Sequence, residues 1–175
     1  MDQTVFYATV SGLGFTLLGL WGVVADRHKE WFADPRRSAM AYVIALHFML
    51  PAAMSLLSLV APELPLVWRT VFTLMGLTGL AGAVLVSRGE AGRRPTLSRV
   101  AVAVGVPVYA AVVAVALFPR LTGLTSLTPL QVEAFLICAI LLLGLNASWF
   151  FSHEAPDSAR AGGTTASAGA DAPRA

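Results

Sequence analysis

Hydrophobic residues in this chain gather in long unbroken blocks. They show neither the alternation of a half-buried strand nor the three-to-four spacing of a surface helix. Five blocks are separated by short polar segments: residues 5–24, 38–60, 66–86, 100–118 and 130–151. Twenty helical residues rise about 30 Å, the thickness of a bilayer's hydrocarbon core. The pattern predicts an all-α membrane protein, a bundle of five transmembrane helices within residues 1–152. Two helix starts carry capping signals. Asp34 precedes Pro35, and Thr128-Pro129-Leu130-Gln131 has the form of a capping box with proline at the first helical position. The short turn Ala61-Pro62-Glu63-Leu64-Pro65 makes the second and third helices an antiparallel hairpin. The second helix holds both His47 and Pro51 and is the one expected to bend. From residue 153 onward Ala, Gly, Ser, Thr, Pro and Asp dominate, so residues 153–175 are expected to form a disordered tail.

Composition places the chain in the same class. It is 57% hydrophobic and 13% charged, with a mean hydropathy of +0.72, where soluble domains have about 45–50% and about 25%. The single cysteine, Cys138, excludes an intrachain disulfide and lies inside the fifth block, where it reads as a packing residue. The opening Met1-Asp2-Gln3-Thr4 lacks the basic stretch of a cleavable leader, so the first block is read as a retained helix.

Charge supplies the orientation. Arg27, Lys29, Arg36 and Arg37 fall in the first connection, Arg88, Arg93, Arg94 and Arg99 in the third, and Arg160 and Arg174 in the tail. Only Arg69 and Arg120 fall on the other side. Basic residues stay cytoplasmic, so the N-terminus is predicted outside and the C-terminus in the cytoplasm. Tyr7 and Trp68 then belong at the outer interface, Trp21 and Trp149 at the inner one. Trp31 and Phe32 either dip the first basic loop into anionic headgroups or sit in a solvated loop. Eleven arginines against one lysine, with abundant Ala and Gly, point to a GC-rich bacterial genome and hence to the plasma membrane. The basic residues form no contiguous face of the kind nucleic acid needs.

Candidate chemistry rests on the few polar residues at membrane depth, each of which is costly there. His47 shares a helix face with Pro51, Ser55 and Ser58. It reads either as a proton-sensitive position or as a neutral imidazole bonded to a neighbouring helix. No second ligand stands at i+3 or i+4, which argues against a metal there. Arg69 in the third helix and Glu133 in the fifth lie at matching depth, and either pair with each other or snorkel separately. Asn146 and Ser148 read as hydrogen-bonding glue between helices. Small residues recur four apart in Ala8-Gly12-Thr16, Thr78-Gly82, Ala101-Gly105 and Gly144-Ser148, a spacing that lets helices approach closely. No phosphate-binding loop, HExxH pair or GxSxG elbow is present, and no cofactor is expected. The expectation is a non-enzymatic accessory, structural or regulatory membrane component, in contact with lipid and with another membrane protein or further copies of itself. The alternative is a protomer of an oligomeric channel or transporter, with His47 or the Arg69/Glu133 level lining the path.

Overall fold

The structure, a computed structural model, describes residues 3–60, 64–90, 101–124 and 127–153. Among them every regular element is helical. In chain order they are α1 (Gln3–Arg27), a 3-10 turn (Lys29–Ala33), α2 (Pro35–Val60), α3 (Pro65–Glu90), a π turn (Ala101–Gly105) running into α4 (Val106–Leu117), a second 3-10 turn (Pro119–Leu124) and α5 (Pro129–Ser152). Helices α1, α2, α3 and α5 are long and apolar enough to cross a membrane. Helix α4 is shorter, with 12 residues.

Local sequence explains the boundaries. Arg36 N–H donates to Asp34 Oδ1 at 2.9 Å, so Asp34 caps α2. Thr128 and Gln131 cap α5 reciprocally: Gln131 N–H donates to Thr128 Oγ1, and Thr128 N–H donates to Gln131 Oε1. Pro107 has no N–H to offer the preceding turn and its ring crowds the carbonyl there. The widened π turn just before α4 relieves that conflict. Helix α3 runs on to Glu90, past the end of its apolar block, because Arg88 is a good helix former and a cation suits a helix C-terminus. Helix α2 continues without a break through Pro51. There α1 lies close alongside: a methyl group on Gly14 would come within 2.8 Å of Ala52 Cβ and 3.1 Å of the Phe48 carbonyl oxygen. The expected tail beyond His153, most of the second basic loop and residues 61–63 of the short turn lie outside the described residues.

Helix α2 is the centre of the bundle. It packs against α1, α3 and α5, while α4 closes a four-membered ring by packing against α3 and α5. Helix α1 sits outside that ring, against α2 and α5. Side-chain contacts fix the directions. Trp21 Nε1–H donates to the Ala41 carbonyl and Gly14 faces Ala52, so α1 and α2 are antiparallel. Gly76 meets Val113, and Gly79 meets Tyr109, so α3 and α4 are antiparallel. Tyr7 reaches Leu130 while Trp21 reaches Phe151, so α1 and α5 run parallel. The bundle thus has a Tyr7 end, where α1, α3 and α5 begin, and an opposite Trp31 end.

Candidate functional site

At the Trp31 end the chain between α1 and α2 folds back as a 3-10 turn. Trp31 is 3% exposed. Its ring stacks on Trp21 (centroids 5.8 Å apart), stands edge-on to Phe151 (4.6 Å), and carries His28 on its other side, 4.4 Å away and nearly parallel. Arg37 lies 5.5 Å over the Phe151 ring. His28 Nδ1 is 2.9 Å from Glu30 Oε1, and that hydrogen bond holds the exposed Glu30 carboxyl below its ordinary range. A downward shift means the pair's contribution is present at neutral pH and is lost as acid protonates Glu30. Phe32, by contrast, points outward. The Trp31 ring is therefore not solvated. An apolar pocket formed by α1 and α5 holds it instead.

His47 lies in the middle of the bundle. Its Nδ1 is 2.8 Å from the Val43 carbonyl oxygen on its own helix. A carbonyl only accepts, so Nδ1 carries the hydrogen. The imidazole ring stands edge-on to Tyr109 of α4 at 5.7 Å. Glycines make room for both residues: a methyl on Gly79 would overlap Tyr109 Cε1, and one on Gly144 would lie 2.6 Å from His47 Cβ. The hydrogen bond expected to a neighbouring helix is thus made within α2.

Arg69 and Glu133 both lie toward the Tyr7 end, but their helices occupy the diagonal of the ring. Arg69 turns to α4 instead, where Nε donates to the Ala116 carbonyl and Nη2 to the Leu117 carbonyl, each at 2.8 Å. Those carbonyls close the last turn of α4 and have no helical N–H to accept from, so Arg69 is that helix's C-terminal cap. Glu133 is 0% exposed, and neither carboxyl oxygen has a hydrogen-bond partner among the described residues. Replacing Arg69 by Met is expected to cost about 1–3 kcal/mol in detergent unfolding, the loss of two charge-assisted bonds to otherwise unpaired carbonyls. The double variant R69M/E133Q is expected to show the simple sum of the single effects. A coupling energy well above experimental error in that cycle would mean that the two side chains meet.

Asn146 does not join helices. Its Nδ2–H donates to the Leu142 carbonyl at 2.8 Å and the side chain is exposed; Ser148 likewise donates to Leu145. Thr9, Thr16, Thr78 and Ser58 make the same intrahelical bond. A polar side chain that can reach the carbonyl four residues back has no need of a partner helix. Tyr7 and Trp68, expected at the outer interface, are buried against other parts of the protein: Tyr7 donates to the Leu130 carbonyl at 2.8 Å, and Trp68 packs edge-on against Phe72. Sequence reasoning did not single out Tyr109, whose hydroxyl is buried without a partner among the described residues, nor Thr73, in the same condition. Among the described residues no three His, Cys, Asp or Glu side chains gather as metal ligands. No protein-family model matches the chain, and no curated protein or solved structure shows significant similarity to it.

Proposed function

We propose that the protein is a multi-pass component of a bacterial plasma membrane, crossing it five times with the N-terminus outside and the C-terminus in the cytoplasm. Its role is accessory, structural or regulatory rather than enzymatic. The observation that carries the topology is the alternation of helix direction. Arg27, Arg36, Arg37 and Arg88 lie toward the Trp31 end, whereas Arg69 lies toward the Tyr7 end. Lipid covers the exposed Leu, Val and Phe side chains that line the outer faces of α1, α3 and α5. The accessory reading is supported by the way the polar side chains at depth are used. His47, Arg69 and Asn146 all bond to carbonyls of their own chain. Its partners are lipid and a second membrane protein or another copy of the chain, with no nucleic acid.

Single cysteines in a Cys138→Ser background test the topology. Cysteines at Gln3 and Gly123 are expected to react with an impermeant maleimide on intact cells, and cysteines at Lys29 and His153 only after lysis. Labelling of His153→Cys on intact cells, with Gly123→Cys protected, would mean that α4 does not cross. A channel or transporter protomer is the second reading, favoured by the unpartnered Glu133 carboxyl and Ser55 hydroxyl. Liposomes carrying the purified protein distinguish the two. Ion flux that falls on Glu133→Gln or His47→Ala supports a channel, and silent liposomes support the accessory role.

A further inference from the structure

On α5, Glu133, Ile137, Ile140 and Gly144 form one buried stripe at spacings of four, three and four. Gly144 lies against His47 and Phe48 of α2. The two helices are antiparallel, and α2 carries His47, Pro51, Ser55 and Ser58 at matching spacings. Glu133 precedes Gly144 by as many residues as Ser58 follows His47, so Glu133 stands at the level of Ser55 and Ser58. This is a polar level inside an apolar bundle. Glu133 and Ser55 are both 0% exposed, and neither side chain has a hydrogen-bond partner among the described residues. Ser58 donates to the Met54 carbonyl and keeps its oxygen lone pairs free to accept.

Among the described residues none supplies a positive charge here. Among the titratable or charged groups on the elements packed against α5, α1 contributes Tyr7, whose hydrogen goes to the Leu130 carbonyl, and Asp26 and Arg27 in its last turn at the opposite end. Helix α2 contributes His47, three helical turns away, and Arg37, which sits over Phe151 at the opposite end. Helix α4 contributes Tyr109, the 3-10 turn contributes the exposed Arg120, and α5 itself adds Cys138. Arg69 at the same end is committed to Ala116 and Leu117. An ionised carboxylate without a counter-ion costs several kcal/mol in such surroundings even after relaxation. No described residue supplies the neutralising charge.

We propose that Glu133, with Ser55 and Ser58 facing it across the α2–α5 contact, is a binding site for one small monovalent cation, a proton or a sodium ion. A proton needs one carboxyl oxygen. A sodium ion would draw on both, together with the two serine hydroxyls. The inference rests on α5 lying in the membrane, which the cysteine labelling above tests separately, so either can fail without the other.

The test is infrared difference spectroscopy of the full-length protein in liposomes, between acid and alkaline buffer. For a proton site, the wild type shows the carbonyl stretch of a protonated carboxyl, shifted in heavy water and unchanged by sodium chloride. That band is absent from Glu133→Gln and displaced in Glu133→Asp, which keeps a carboxyl should the glutamine variant fold poorly. For a sodium site, the same band disappears at constant pH on adding sodium chloride, and choline chloride leaves it in place. A wild-type spectrum indistinguishable from that of a folded Glu133→Gln, at every pH and in either salt, overturns the proposal.

Discussion

Replacing Gly79 by alanine is expected to destabilise the bundle by about 1–3 kcal/mol, the usual cost of forcing extra volume into a filled core. The added methyl would occupy the space of the Tyr109 ring, and that ring has nowhere to go. It is fully buried, with His47 edge-on to it and α3 along its side. The cost therefore belongs to one contact, and a double-mutant cycle isolates it. In a Tyr109→Val background the ring is gone, and Gly79→Ala is expected to cost little or to stabilise slightly, as alanine normally does in a helix. Detergent unfolding of the four proteins measures both terms. If Gly79→Ala costs the same with and without the tyrosine ring, the α3–α4 contact is not built around it. Gly144→Ala should behave like Gly79→Ala for a related reason. Its methyl meets His47 Cβ, an atom fixed to the backbone, so α2 and α5 must part.

These glycines also show where the sequence stops being informative. The existence and approximate length of the long apolar helices were legible because bilayer thickness imposes a length on each block. Helix caps were legible too, since Asp34 and Thr128 act through neighbours two or three residues away. The inward face of each helix was not. In a soluble helix the polar stripe marks the outside, but outward-facing and core-facing positions here are both largely apolar. Tyr42 and Tyr109 are both tyrosines in apolar helices, yet one is largely exposed and the other fully buried. Gly12, Gly19 and Gly22 have open space beside them, whereas Gly14, Gly76, Gly79 and Gly144 touch a neighbouring helix. Four-residue spacing of small residues separated these two sets poorly: it picked out both Gly12 and Gly144.

The candidate site divides the same way. Position along each helix followed from counting residues, and both Arg69 and Glu133 lie toward the Tyr7 end of the bundle. Lateral placement did not follow, because the sequence contains no record of which helices are neighbours. The ring order puts α3 and α5 on the diagonal, and Arg69 finds the end of α4 instead. Arg69 is thus committed elsewhere, and the Glu133 carboxyl has no hydrogen-bond partner among the described residues. The cost of an isolated carboxylate was visible in advance; its isolation was not.

Trp31→Ala is the second large effect, expected at about 3–5 kcal/mol, the range for removing a buried aromatic side chain. Trp31 joins three parts of the chain that are far apart in sequence: its own turn, Trp21 on α1 and Phe151 on α5. Without it, His28 loses its stacking partner, and Phe151 loses one of its ring contacts while keeping those with Trp21 and the Arg37 guanidinium. Trp31→Phe retains one ring against Phe151 and should recover part of the loss. The origin of the effect is separable from lipid binding, because Lys29 and Arg27 stand beside this turn and favour anionic headgroups. If the protein itself holds Trp31, the destabilisation is equal in neutral and anionic micelles. A destabilisation that appears only with anionic lipid would mean that headgroups hold the ring, and that its fit against Trp21 and Phe151 contributes little.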